Sequence, residues 1–381
     1  MKIAIVHDAL MCRGGAEQVV KYFHRAFPDA PIYTLCYKSD LTYPDFKDCN
    51  VKTSWLQRAI NTESLMKKLF FPFGIIAMRQ LYVKDFDIVL ISSTHCGKYI
   101  RVSPNTKVIT YCYTPFRLAW NPASYSQYDK SNFIIKRLFA SFLKVLRIID
   151  YQYAQRTDVF LAMTEETRKR ISCTYDVMED TISIIPPPVE VNSFKMLEVN
   201  AKKDYFLLVS RIEYYKKVDL VVEAFNILEI PLIIVGKGTK EQEVKEKAKP
   251  NIKFKKDLST DELQELYSNC KAFIFPQYED YGITPLEANA SGRPVIAYGQ
   301  GGVLTTQIPY TLEKEGISTA IFFNEQSVES LIDAIKLFNN VENTFDAKFI
   351  RKHAEKFDEK IFIKKIKEFV YKENQNLRLS D

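Results

Sequence analysis

Two glutamates, Glu279 and Glu287, stand eight positions apart in the stretch E-D-Y-G-I-T-P-L-E-A-N-A-S-G, which runs from Glu279 to Gly292. Gly282 between them supplies a flexible turn. Thr284 suits an N-cap, Pro285 the first helical position and Glu287 the third, so a helix is expected to start here. The turn before it would present free backbone N–H groups near Ile283 and Thr284, and these with the helix dipole attract a phosphate. A carboxylate one turn in can accept hydrogen bonds from a ribose diol. The carboxylate before the glycine can reach sugar hydroxyls on the far side of the phosphates. That layout suits a nucleotide sugar. Thr284-x-x-Glu287 is equally a capping box, which alone would account for Glu287.

Other charged and glycine-rich groups fall at the ends of predicted strands. Ser210-Arg211 follows Phe206–Val209, and Lys216 comes five residues after the arginine. Two cations there can neutralise a diphosphate leaving group, whose charge peaks in the transition state. A solvated charge run, Lys216-Lys217, is the plainer alternative. Gly236 and Gly238 form a Gly-x-Gly turn after Leu232–Val235. Gly14 and Gly15 open a predicted helix, where bare backbone can approach a ligand. Neither is the G-x-G-x-x-G dinucleotide fingerprint, which weighs against a dehydrogenase. His95 follows the strand Ile88–Ile91 and is either a structural histidine or a hydrogen-bond donor at a binding site. Asp85-Phe86-Asp87 has the form of a D-x-D metal motif but precedes its strand, so it reads as a loop. No His/Cys/Asp cluster has zinc spacing, and no metal ligand is assigned.

The strands and helices that must hold these groups alternate. Strands are predicted at Ile3–Val6, Ile32–Leu35, Ile88–Ile91, Val108–Cys112, Val159–Ala162 and Ile182–Ile185. A second series covers Phe206–Val209, Leu232–Val235, Ile252–Phe254, Ala272–Phe275, Val295–Ala297 and Ala320–Phe322. Helices are expected near Ala16–Phe27, Ser64–Leu81, Asn132–Arg156, Glu165–Tyr175, Ser327–Asn339, Ala347–Phe357 and Glu359–Tyr371. Strand–helix alternation implies parallel sheets with helices on both faces. Pro186-Pro187-Pro188 separates the series. The division is a first domain over 1–188, a linker over 189–203, a second domain over 204–358 and a closing helix over 359–381. Ligands of open α/β sheets bind at the carboxyl ends of strands, so two such sheets facing each other make a cleft.

Composition narrows the function. At 381 residues, with 46% apolar and 26% charged residues and 12 glycines, the chain is globular and long enough for two or three domains. Seven scattered cysteines with no C-x-x-C pair fit reduced thiols in a cytosol. No run is apolar enough to span a membrane, and the start M-K-I-A-I-V-H-D is a strand rather than a signal peptide. The net charge of +6 is clustered. Lys67, Lys68, Arg79 and Lys84 lie among Leu65, Leu69, Phe70, Phe71 and Phe73, and Lys136, Arg137, Lys144 and Arg147 lie among Phe133, Ile134, Leu138 and Phe142. Basic and large apolar residues together suit an anionic membrane surface, or else buried helices with a solvated basic edge. Nucleic acid is a poorer partner, since no binding motif accompanies the charge.

The E-x7-E stretch resembles the signature of retaining glycosyltransferases of family 4, which have the two-domain GT-B fold. S-R-I-E-Y-Y-K-K-V-D-L resembles that family's S/G-R-L-x-x-x-K-G-V-D-L motif, with Lys217 at the usual glycine. V-G-K-G resembles its V-G-x-G loop beside the base, R-G-G-A-E its G-G-A-E loop, and the segment ending in His95 its S-S-S-H element. Tyr111–Trp120 resembles the Y-C-H-T-P-x-R-x-x-W element of a bacterial mannosyltransferase-like subgroup, with Tyr113 replacing histidine. The resemblance implies two Rossmann-like doubly wound domains and a last helix crossing back to the first. It implies Glu287 on the ribose, Arg211, Lys216 and the amides of Ile283 and Thr284 on phosphates, and Glu279 on the sugar. His95 would serve the transferred sugar or acceptor, and Tyr113, Arg117 and Trp120 an acceptor site.

The activity so implied is retaining hexosyl transfer from a nucleotide sugar, GDP-mannose first, to a lipid-linked glycan in surface polysaccharide synthesis. The expected place is the cytoplasm, peripheral to the inner membrane face. No metal or other cofactor is expected, because cations and amides take that role. An epimerase or phosphorylase on the same scaffold and a non-catalytic nucleotide-sugar binder are the rival readings. A phosphorylase would need a cofactor lysine, for which the sequence offers no convincing site.

Overall fold

Most of the predicted strands, such as Ile88–Ile91 and Leu232–Val235, are apolar throughout rather than alternating, the pattern of strands buried on both faces of a parallel sheet. The computed structural model describes residues 1–60, 62, 73–122, 133–196 and 204–380. It divides into two compact units, Met1–Pro187 with Phe362–Asp381, and Pro188–Ile361.

The first unit holds β1 (Ile3–His7), β2 (Ile32–Thr34), β3 (Val51–Thr53), β4 (Tyr82–Val83), β5 (Ile88–Ser93), β6 (Arg101–Val102), β7 (Lys107–Cys112), β8 (Val159–Ala162) and β9 (Ser183–Ile184). Seven of these form one parallel sheet in the order β3-β2-β1-β5-β7-β8-β9, and β4 pairs with β6 apart from it. β1 lies between β2 and β5, so the strand order reverses there, and His7 stands level with Ser92. Helices Gly15–Ala26, Phe133–Ala154 and Glu165–Tyr175 cover the sheet. Within the helix Glu359–Ser380, Phe362 stacks on Phe23 at 5.9 Å, and Lys107 pairs with Glu373 at 2.6 Å.

The second unit holds β10 (Phe206–Val209), β11 (Leu232–Val235), β12 (Ile252–Lys255), β13 (Phe273–Phe275), β14 (Val295–Tyr298) and β15 (Ala320–Phe323). All are parallel, in the order β12-β11-β10-β13-β14-β15. The order reverses between β10 and β13. Cores of Phe206, Val221, Phe225 and Leu331 on one side and of Tyr267, Phe273 and Val303 on the other fill the two faces.

Three details depart from the sequence reading. β3 is a short edge strand, V-K-T, with no apolar run to announce it. Of the helix expected over Ser64–Leu81, the described part is Ile75–Gln80, and residues 63–72 lie outside the described residues. The stretch read as a linker is partly docked on the second unit: Val191 is buried, and Arg351 donates to the carbonyls of Phe194 at 2.8 Å and Val191 at 3.3 Å.

Candidate active site

In an open α/β sheet the strand carboxyl ends diverge where the order reverses, and a ligand fits there. In the second unit that point lies between the loops after β10 and β13. The first loop carries Arg211 and Lys216, the second Glu279, and the helix Ile283–Ala290 follows. The structure joins the two loops through an ion pair from Lys216 Nζ to Glu279 Oε1, with both side chains mostly buried. Arg211 is exposed and donates to the Tyr215 hydroxyl at 2.7 Å. Lys217 sits in the left-handed region at φ 54°, a conformation that glycine adopts at no steric cost. That accounts for glycine as the usual residue there, and it turns the Lys217 ammonium onto the Tyr214 ring, 5.2 Å from its centroid.

Glycines hold these loops by letting backbones touch. A Cβ on Gly236, at φ 152°, would stand 1.9 Å from the Ser210 carbonyl oxygen, and one on Gly238 2.2 Å from that of Ile212. The Gly236–Gly238 turn therefore braces the Arg211 loop. The Ile212 amide donates to the Lys237 carbonyl at 3.1 Å, and Glu213 accepts from the Thr239 hydroxyl at 2.6 Å. Gly301 and Gly302 brace the Glu279 loop in the same way. A Cβ on Gly301 would meet the Glu279 carbonyl oxygen at 2.4 Å, one on Gly302 would meet Tyr281 Cα at 2.2 Å, and the Gly302 amide donates to Glu279 at 2.8 Å. The sequence offers a signal for Gly301-Gly302 in a Gly-Gly pair shortly after the strand Val295–Tyr298.

The helix start corrects the capping-box reading. The N-cap is Gly282, at φ 89°, and no side chain caps the helix. Thr284 is thus the second helical residue and Glu287 the fifth, a turn too deep to reach the N-cap amide. Only Gly turns comfortably at that φ, so the helix starts one residue before Thr284. The amides of Ile283 and Thr284 belong to the first turn, where N–H groups have no intrahelical acceptor. Glu287 instead accepts from the Tyr267 hydroxyl at 2.7 Å. Burial raises the Glu287 carboxyl above its ordinary value against the pull of that hydrogen bond, and the nearby Glu190 charge adds to the rise.

In the first unit the order reverses between β1 and β5, and the groups there centre on Asp8, which sequence reading left without a role. Asp8 is 2% exposed. Its oxygens accept from the Thr94 amide and hydroxyl, both at 2.6 Å, from the Gly97 amide at 2.6 Å and from the His95 amide at 3.2 Å. His95 Nδ1 lies 2.9 Å from Asp8 Oδ2. Burial works against the Asp8 charge, yet the His95 ring, with His7 and Thr94, holds its carboxyl well below the usual carboxylate range. Asp8, His95 and Cys96 stand within 4.8 Å of one another. Their contacts are those of a hydrogen-bonded turn: Asp8 is spent on N–H and O–H donors, and burial pushes the Cys96 thiol well above its ordinary value. Asp85 and Asp87 lie in a loop, as read, and Asp87 accepts from the Lys2 amide at 2.6 Å.

Gly14 is the N-cap of the helix Gly15–Ala26. A Cβ on it would stand 2.4 Å from Glu17 Oε2, so glycine leaves room for Glu17 to approach His7 Nε2, at 3.9 Å. Gly15 is exposed. Of the residues assigned to the acceptor, Tyr113 is buried, bonded to the Ser92 hydroxyl at 2.9 Å and the Ala16 carbonyl at 3.1 Å. Arg117 is exposed and opens the short helix Arg117–Trp120. Trp120 is half-buried, and its indole N–H donates to Asp150 at 2.8 Å. All seven cysteines are free thiols.

Residues 190–357 match the family Glycosyl transferases group 1. The alpha-1,3/1,6-mannosyltransferase of Candida glabrata is 22% identical, over 88% of this chain and 84% of that protein. The O-antigen chain mannosyltransferase RfbU of Salmonella typhimurium is 27% identical over 58% of this chain. The match spans 62% of the Salmonella protein, and likewise 62% of the Dictyostelium discoideum alpha-1,3/1,6-mannosyltransferase, which is 25% identical over 59% of this chain. Among solved structures, Anabaena HepE in complex with UDP superposes with a TM-score of 0.71, at 13% identity over 98% of this chain and all of that one. The lipopolysaccharide outer core galactosyltransferase WaaB superposes at 0.62, with 15% identity and the same coverage. Residues 190–357 are thus similar to the glycosyl transferases group 1 family, in a chain whose two parallel-sheet units have the fold of GT-B glycosyltransferases.

Proposed function

We propose that the protein is a retaining mannosyltransferase that moves mannose from GDP-mannose to a lipid-linked oligosaccharide in surface polysaccharide synthesis. The observation that carries this reading is the Lys216–Glu279 ion pair beside the Ile283–Ala290 helix. It gathers a cation for the diphosphate and a carboxylate for the sugar at one strand-end site, with Glu287 inside the helix for the ribose. Mannosyl is the favoured sugar because the three sequence relatives named above, unlike the structural neighbour WaaB, are mannosyltransferases. In the reaction the C1–diphosphate bond breaks as an acceptor oxygen attacks from the same face, and the acceptor proton passes to the departing phosphate oxygen. Arg211, Lys216 and the helix amides stabilise the charge that leaves, in place of a metal. His95, fixed by Asp8, would serve the sugar or acceptor. Thermal-shift screening against GDP-, UDP- and ADP-sugars, then transfer to lipid-linked glycan, tests the assignment. Interconversion of the donor without acceptor, or binding without turnover, would overturn it.

Glu287→Gln isolates the ribose contact. Losing a charged acceptor for two hydroxyls should weaken nucleotide binding by roughly 1.5–3 kcal/mol. Calorimetry that finds parental affinity in this variant removes the ribose role from Glu287.

The acceptor's lipid implies a membrane surface, and the first unit offers basic and apolar groups for one. Phe73, Ile76, Val145 and Ile148 are exposed, and Arg137 and Lys144 are exposed on the helix Phe133–Ala154. Lys67 and Lys68 lie outside the described residues, as does the side chain of Lys136. No helix among the described residues is long and apolar enough to cross a membrane. Vesicles rich in anionic lipid should bind the protein at low salt and release it as salt rises, since each surface cation gains about 1 kcal/mol from such lipid. Arg137→Glu with Lys144→Glu should weaken this binding and spare the nucleotide. Protein that stays free of anionic vesicles at low salt ends the membrane reading.

A further inference from the structure

We infer that Tyr267 is a positioning residue for the nucleotide site, aiming the carboxylate of Glu287 at the ribose; this rests on the ribose reading of Glu287 above. Tyr267 lies on the helix Thr260–Asn269 and is fully buried. Its hydroxyl donates to Glu287 Oε2 at 2.7 Å. The ring has no room to swing. Phe194 meets it edge-on at 5.7 Å between centroids, and Phe273 lies against it at 5.5 Å. The two helices are also tied together. Arg293, 1% exposed, donates from Nε to the Ser268 carbonyl at 2.8 Å, while its own amide donates to the Ala288 carbonyl at 2.9 Å. A reciprocal capping box of Ser259 and Glu262 anchors the start of the Tyr267 helix. The donor and the acceptor of the Tyr267–Glu287 hydrogen bond are therefore both on fixed supports.

The chemistry of a carboxylate makes that bond consequential. An ionised glutamate side chain turns about its last torsion over a broad range, and its two oxygens offer about four acceptor sites. One strong donor on Oε2 stops the turning and leaves the remaining sites pointing one way. Two vicinal hydroxyls need that preset direction, because a freely turning acceptor loses torsional freedom on binding. The same hydrogen bond favours the carboxylate form and so opposes the rise that burial and the Glu190 charge give the Glu287 carboxyl.

The test compares ribose with its absence on the full chain. GDP and UDP, each beside its 2′,3′-dideoxy form, are titrated into the parent, Tyr267→Phe and Glu287→Gln proteins, after thermal melts show each variant folded. The phenylalanine keeps the packing and removes one oxygen. It should weaken the ribonucleotide about three- to tenfold, the size of one hydrogen bond, and leave the dideoxy form unchanged. In the Glu287→Gln background Tyr267→Phe should add much less. Equal weakening of both forms would make Tyr267 a packing residue only, and no weakening of either would leave Glu287 self-supporting; each overturns the inference alone. If the parent itself binds neither ribonucleotide, or binds both forms alike, the ribose reading falls and takes this inference with it.

Discussion

Replacing Lys216 with alanine is expected to lower kcat by about 10²–10³-fold, the usual cost of removing one preorganised charge-stabilising group, while donor affinity changes far less. In the proposed reaction the diphosphate gains charge as its bond to the sugar breaks, so a cation beside it would act more strongly on the transition state than on the bound donor. Lys216 is suited to this because its ammonium is already placed by Glu279 and mostly removed from solvent. Its neighbour supplies the control. Lys217→Gly removes an ammonium that lies over the Tyr214 ring and relieves a left-handed backbone, so kcat should hold. Steady-state kinetics with varied donor separates the cases. A Lys216→Ala protein that loses affinity as much as kcat would make Lys216 a ground-state ligand.

The sheets were legible because parallel strands buried on both faces need continuous apolar runs. Leu232–Val235 and Phe206–Val209 announce themselves that way, and the structure has them with the same bounds. Val51–Thr53 had no such run and was found only through its pairing with β2. The Lys216 and Glu279 loops were legible as residue types at strand ends, but their meeting was not. It depends on the reversal of strand order between β10 and β13, a long-range property that local spacing does not encode. Glu287 shows the limit from the other side. Its spacing from Thr284 fitted a capping box, yet the Gly282 dihedral moved the helix start and gave the carboxylate a partner 20 residues back. Asp8 was visible as a strand-end residue and silent as a hub. Its donors come mainly from Thr94, His95 and Gly97, on a neighbouring strand's loop far along the chain.

The most damaging single change to the first unit should be Asp150→Ala. Asp150 is 0% exposed and lies in the helix Phe133–Ala154. One oxygen faces Lys98 Nζ at 2.7 Å and the Tyr99 hydroxyl at 2.9 Å, and the other accepts from Trp120 and Tyr175, both at 2.8 Å. Burial lifts the phenols of Tyr99 and Tyr175 well above their ordinary range, and the Asp150 charge adds to it, so both remain donors. Removing the carboxylate leaves a buried ammonium with no counter-charge from this residue and three ring donors without their acceptor. Breaking one side of such a pair costs about 3–5 kcal/mol. Urea unfolding followed by near-ultraviolet circular dichroism should show that loss. The double variant Asp150→Leu with Lys98→Met should recover part of it, since the ammonium is then gone, but not all, because the donors of Tyr99, Trp120 and Tyr175 remain stranded. The same four side chains come from the turn after His95, the Arg117–Trp120 helix and the helix Glu165–Tyr175. Their common acceptor fixes Trp120 and the His95 turn together, so acceptor KM should rise in any Asp150 variant that still folds. An Asp150→Ala protein with parental stability would show that the pair contributes no more than an exposed salt bridge.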